Sequence, residues 1–252
     1  MRFLSVRPIA GASAAFARLC SGLLARRLVR ALVLGLAVLP CAAHAQLAGS
    51  VSLSTSEMFR GESISDSRPV LTVGASLDSG TGLFAGTSAS VAAAAHGPQI
   101  TSLVQYAGYA KRVGGVTAEV GAIHRRYLQV LDRDYRRSFF EVYAGLACRG
   151  IKARIYLSPD YLVDGQNSYY AEVNARLLRI REWTLEGHAG LSLIPYELAL
   201  PRRGLRNYQD WRMQVSRPAG RLFIAVGVNA TNYPVYSASG KAKVFASIST
   251  AF

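Results

Sequence analysis

The sequence predicts an all-β fold, a transmembrane antiparallel β-barrel of twelve strands that follows a cleaved export segment. Three observations carry that expectation: an arginine-flanked apolar amino terminus, period-two alternation along the rest of the chain, and connections that alternate between short and long. The composition agrees with a folded chain, since half of the 252 residues are hydrophobic and 17% are charged. That excludes a disordered tail.

Residues 1–45 hold six of the 29 bases and none of the 15 acids, so the remainder carries 23 bases against 15 acids, a charge of +8. After Arg30 comes the apolar run from Ala31 to Leu39, then Pro40 and a stretch of small residues ending at Ala43-His44-Ala45. A charged region, a short apolar core and an A-x-A site make residues 1–45 a secretory signal peptide. Nine apolar residues span about 13 Å of helix, too little for a bilayer core of roughly 30 Å. The expected mature chain, residues 46–252, keeps Cys148 as its one cysteine. It therefore has no internal disulfide, and its scattered His96, His124 and His188 offer no zinc spacing. No cofactor or metal is expected.

The apolar sets of the candidate strands follow in order. They are Val51, Leu53, Thr55; Leu71, Val73, Ala75, Leu77; Leu83, Ala85, Thr87, Ala89, Val91; and Ile100, Ser102, Val104, Tyr106. Next come Val116, Ala118, Val120, Ala122; Phe140, Val142, Ala144, Leu146, Cys148; Ile151, Ala153, Ile155, Leu157; and Tyr169, Ala171, Val173, Ala175, Leu177. The last four are Trp183, Leu185, Gly187, Ala189, Leu191; Trp211, Met213, Val215; Leu222, Ile224, Val226, Val228; and Val244, Ala246, Ile248, Thr250, Phe252. The charge-free stretch 79–110 could instead suggest a buried helix, but Gly80, Gly82, Gly86, Gly97, Pro98 and Gly108 favour two strands.

The joints separate the barrel from a soluble sandwich. Asp78–Gly82, Lys111–Gly115, Arg149–Gly150, Leu178–Arg181 and Arg217–Gly220 are tight. Arg60–Arg68, Ala92–Pro98, Leu128–Arg137, Ser158–Asn167, Leu193–Arg206 and Ala230–Gly240 are longer. Short turns at one end and longer loops at the other mark an outer-membrane barrel, with the short turns periplasmic. Its apolar faces then meet lipid and its polar faces line the lumen. The carboxy-terminal Phe252 ends the last apolar face and resembles the assembly signal through which outer-membrane barrels engage their assembly machinery.

Ser54 to Ser63, with Phe59-Arg60-Gly61 at its centre, is followed by Arg68-Pro69-Val70 and Gly82-Leu83-Phe84-Ala85-Gly86. Tyr106-Ala107-Gly108-Tyr109, Gly114-Gly115-Val116 and Phe140 to Leu146 come later. This pattern resembles the TorF porin family, with its Phe-Arg-Gly-x-Ser core, here Phe59, Arg60, Gly61 and Ser63, its Pro before the second strand and its Gly-aromatic-x-Gly element in the third. Glu57 and Met58 stand where that family usually has an Asp and an aromatic, Ser88 where it has an aromatic, and Ser102 and Leu103 where an Asp is found. The departures bear on a shared ligand site and leave the fold expectation intact. The resemblance implies an outer-membrane pore and names no solute.

On this alternation the lumen receives Lys152, Arg154, Arg176, Arg212 and Lys243 together with Glu119, Glu141, Glu172, Glu186 and Asp210. Two readings follow: a narrow channel for small polar solutes or ions whose basic side favours anions, or charges that pair with one another and partly close the barrel. Arg133, Arg136, Arg137, Arg202, Arg203 and Arg206 fall in the expected outer loops, within reach of lipopolysaccharide phosphates. The expected partners are therefore outer-membrane lipid, lipopolysaccharide, the assembly machinery and small solutes, and no nucleic acid. An enzyme is the weaker alternative, because His124 near Asp132 and Asp134, and His188 near Ser192 and Glu186, form no recognisable motif. A structural or adhesive barrel without conductance is the third reading.

Overall fold

The computed structural model describes residues 46–94, 97–128, 138–161, 167–193, 207–232 and 242–252. The expected signal peptide, and the loop arginines Arg133, Arg136, Arg137, Arg202, Arg203 and Arg206, lie outside the described residues. The elements are β1 (Gln46–Ser54), β2 (Met58–Phe59), β3 (Glu62–Ser63), β4 (Val70–Asp78), β5 (Leu83–Ala94), β6 (Gly97–Val113) and β7 (Val116–Tyr127). They continue with β8 (Ser138–Cys148), β9 (Ile151–Ser158), β10 (Ser168–Ile180), β11 (Trp183–Leu193), β12 (Tyr208–Ala219), β13 (Leu222–Thr231) and β14 (Lys243–Ala251).

Twelve strands close into one antiparallel barrel, each beside its sequence neighbours, with β1 paired to β14 at the seam and β2 and β3 forming a separate hairpin. Closure leaves no open sheet edge, which is the condition for a sheet to stand in lipid. Among the described residues no helix is long and apolar enough to cross a membrane.

The alternation read from the sequence sets which way the side chains point. Leu53, Val73, Leu146, Ile155, Val226 and Ile248 lie on the exterior, with Ile155 63% exposed. At the seam, Val51 pairs with Thr250 and Leu53 with Ile248. The Phe252 backbone exchanges hydrogen bonds with Gly49 at 2.7 and 3.0 Å, and its ring lies over that glycine. The terminal aromatic therefore joins the outer face of the first and last strands.

The fourth candidate strand departs from the expected faces. Ile100 points outward, but Ser102, Val104 and Tyr106 point into the barrel, where Val104 and Tyr106 pack beside Ile123, Tyr143 and Tyr156. The cause is a bulge: Ser90 pairs with Ser102 and Val91 with Ile100, which leaves Thr101 unpaired and reverses the faces beyond it. A second irregularity, between Arg176 and Leu178, puts Leu177 and Leu178 both on the outside.

Inward glycines take up the bulk of inward rings. Gly86 faces Tyr106, Gly108 faces Phe84, Gly121 faces Tyr143 and Gly227 faces Phe245, each pair directly opposed across neighbouring strands. A Cβ at any of these positions would run into the ring, so the glycine–aromatic spacing is a packing requirement.

Burial is uneven along the barrel axis. Every buried residue of the barrel strands lies at or beyond the middle of its strand, toward the long connections. The short-turn half is lined by partly exposed side chains and is not filled. Ala92–Pro98, expected as a longer loop, is mostly strand, since β5 runs to Ala94 and β6 begins at Gly97.

Candidate functional site

What fills the long-connection half is the segment between β1 and β4. Sequence reasoning placed Arg60–Arg68 in an outer loop; the structure folds it back into the lumen as the β2–β3 hairpin. Met58 pairs with Ser63 and Phe59 with Glu62, so Arg60 and Gly61 form the turn, with φ of 44° and 83°. Two consecutive positive φ values are what a tight hairpin turn demands. Gly61 meets a second constraint, because a Cβ there would lie 2.5 Å from Thr231 and 2.7 Å from Asp210.

The hairpin is fastened to the wall on several sides. The Glu57 carboxylate accepts hydrogen bonds from Ser102 (2.6 Å), Thr101 (2.8 Å) and Ser90 (3.0 Å), the residues gathered by the β5–β6 bulge. Asn229 Nδ2 donates to the Gly61 carbonyl at 2.7 Å, and Lys243 stands 3.3 Å from Glu62. Phe59 packs against Tyr127, Phe139 and Tyr161 at ring-centre distances of 5.5, 6.0 and 6.1 Å.

Arg60 is the centre of this arrangement. Its guanidinium donates to Glu141 and lies 4.1 Å from the Tyr170 ring, 4.7 Å from Tyr161 and 5.0 Å from Phe59. Arg125 reaches the other Glu141 oxygen at 3.1 Å and stands 5.0 Å from the same Phe59 ring. The Arg60 and Glu141 side chains are 6% and 1% exposed. A buried carboxylate shared by two guanidiniums is costly to break from either side, by about 3–5 kcal/mol, and the rings add cation–π attraction.

The remaining predicted residues all face the interior. Glu119 binds Lys152 at 3.1 Å and Arg154 at 2.5 Å, and Arg154 also donates to the Tyr156 hydroxyl at 3.2 Å. Tyr156 in turn donates to Glu172 at 2.9 Å. Glu186 accepts from Gln214 at 2.6 Å. Asp210 accepts from Tyr170 at 3.1 Å and lies 2.9 Å from His188 Nε2, whose other nitrogen is 2.9 Å from the Asn174 amide oxygen. Arg176 and Arg212 differ from the other interior bases, since neither has a carboxylate within ion-pairing distance among the described residues. They border a pocket that opens into the unfilled half.

Pairing thus accounts for Glu119, Lys152 and Arg154, whereas Lys243 and Glu141 pair with the hairpin or with Arg125. Sequence reasoning missed Glu57, Arg125, Tyr170 and Asn229. Phe59-Arg60-Gly61 stood out only as the core of the family resemblance, and its inward direction carried no signal in the sequence. His124 lies beside Ser138 at 2.8 Å, while Asp132 and Asp134 are outside the described residues. His188 joins Asp210 and Asn174, not Ser192 or Glu186. Among the described residues, no group of three His, Cys, Asp or Glu is placed to hold a metal ion.

A closed antiparallel barrel, apolar outside and charged within, is the fold class of outer-membrane β-barrels. The chain belongs to the Gcw_chp family, bacterial proteins of unknown function, whose model matches residues 40–252. No curated protein matches the sequence. Among solved structures it is similar to the KdgM porin, with a TM-score of 0.52 at 9% identity over 81% of this chain and 99% of that one. It is equally similar to the NanC porin, with a TM-score of 0.52 at 8% identity over 82% and 99%. At such identities the likeness is one of fold, and the location that fold fits is the bacterial outer membrane.

Proposed function

We propose that this barrel is an outer-membrane channel for passive diffusion of small polar solutes or ions, narrowed by its own first long connection and preferring anions. The observation that carries the reading is the interior itself: polar and charged along its length, filled by the hairpin at one end and unfilled at the other. Side chains fill an eight-stranded barrel and a sixteen-stranded one leaves an aqueous channel, so twelve strands with an inserted hairpin leave a narrow route. The anion preference rests on Arg176 and Arg212, because each interior carboxylate of the wall is already hydrogen-bonded or ion-paired and these two bases are not paired with acids.

The reading extends to residues 1–45 as the export signal, to Phe252 as the segment handed to the assembly machinery, and to lipopolysaccharide as the partner of the loop arginines. Assignment to the TorF porin family belongs to it as well, on the strength of Phe59, Arg60, Gly61 and Ser63. Catalysis has no part in it.

The test is single-channel recording in a planar bilayer under a salt gradient, using protein purified from outer membranes and checked for folding by its heat-dependent gel shift. Small, steady steps with an anion-selective reversal potential are expected, and Arg176→Ala with Arg212→Ala should move that potential toward zero. Silence from folded protein would favour the second reading, a non-conducting structural or adhesive barrel, which the fastening of the hairpin on several sides supports.

A further inference from the structure

A line of nitrogen-bearing side chains crosses half of the inner wall. In the strand register Lys152 stands opposite Asn174, Asn174 opposite His188, His188 opposite Arg212, Arg212 opposite Asn229, and Asn229 opposite Lys243. Six adjacent strands, β9 to β14, each give one inward residue to this row, and none of the six is a carboxylate. Five are already engaged: Lys152 by Glu119, His188 by Asp210 and Asn174, Asn229 by the Gly61 carbonyl, and Lys243 by Glu62. Arg212, in the row's interior, keeps its guanidinium uncommitted to any acid among the described residues.

Arg212 borders a chamber of about 370 Å³ between the hairpin and the wall. That volume falls in the range of small-molecule sites, roughly 300–1,000 Å³. We infer that the chamber binds a small organic carboxylate carrying hydroxyl groups, with Arg212 taking the carboxylate and Asn174 and Glu172 the hydroxyls. One free guanidinium matches one carboxylate, to which it presents two parallel N–H donors. A phosphate dianion would instead sit near Glu172 and Asp210, with Arg212 as the one lining guanidinium not already paired with an acid, since Arg60 and Arg125 are held by Glu141 and Arg154 by Glu119. Asn174 and the unshared oxygen of Glu172 supply the mixture of donor and acceptor that a hydroxyl needs. The inference deepens the channel reading and rests on it.

The test is saturation-transfer NMR on the purified, folded protein with sodium gluconate, uncharged sorbitol and inorganic phosphate as probes, with conductance recorded on the same preparation. Gluconate should bind, sorbitol about tenfold more weakly or worse, and phosphate more weakly than gluconate. Arg212→Ala should cost gluconate about tenfold, Arg212→Lys should recover part of it, and Arg68→Ala, on an exposed ion pair away from the chamber, should leave binding unchanged. Equal binding of gluconate and sorbitol, stronger binding of phosphate, or indifference to Arg212→Ala overturns the inference. Conductance without gluconate binding rejects the chamber and spares the channel. Gluconate binding without conductance rejects the channel and keeps the chamber.

Discussion

Glu141 is a buried carboxylate on which two guanidiniums converge. It pairs with Arg60 on the hairpin and Arg125 on β7, at a position 1% exposed. Glu141→Gln leaves both guanidiniums without a counter-charge, and the effect expected for an orphaned buried charge is about 3–5 kcal/mol. Because Arg60 sits on the hairpin and not on a barrel strand, the cost should appear as release of the hairpin more than as unfolding of the sheet. Single-channel steps should grow and become noisier, while the heat-dependent gel shift persists. Arg68→Ala, which breaks an exposed pair with Asp66 at 3.1 Å, should change stability by no more than about 0.5 kcal/mol and leave the steps as they were. Unchanged steps in Glu141→Gln would mean that the ion pair is not what holds the hairpin.

At the scale of the element, the hairpin and the β5–β6 bulge depend on each other. The bulge turns Thr101 and Ser102 toward Glu57, and Glu57 seats the first residues of the hairpin against that wall. Replacing residues 57–66 by a flexible Gly-Ser segment of equal length removes the Phe59 packing and the Arg60 stack together. Conductance should rise several-fold over the unaltered protein, and the anion preference should survive, because Arg176 and Arg212 remain on the wall. A loss of preference would shift selectivity to the hairpin. Part of this was legible beforehand: alternation placed Lys152, Arg154, Glu141 and Arg212 on the inner face, and Phe59-Arg60-Gly61 stood out as the core of the family resemblance. The inward fold of the turn was not legible, because a polar loop and a lumenal insert have the same composition. Nor was the reversed face of Tyr106, since one unpaired residue shifts the period without altering the local pattern.

For the whole molecule, the assignment of inside and outside is the claim with the widest consequences. Adjacent residues on β9 test it directly: Ile155 is 63% exposed on the exterior, whereas Arg154 points inward to Glu119. Ile155→Arg should destabilise the membrane-inserted barrel by about 2–4 kcal/mol if the site lies near the bilayer midplane. Equilibrium urea unfolding in lipid vesicles measures it. In a soluble barrel the same change would be nearly neutral, because the arginine would simply face water.

The fold class, the twelve strands and the facing of nearly all of them were determined by the sequence alone, because a side-chain period of two is a local property of an extended chain and the alternation of short and long joints separates a barrel from a sandwich. The narrowing of the lumen was decided only in the tertiary structure. Arg60, Glu141, Arg125 and Tyr170 come from four separate stretches of the chain and meet where the barrel curves round on itself. The same holds for the row from Lys152 to Lys243, since strand register, not sequence spacing, places one residue from each of six adjacent strands side by side.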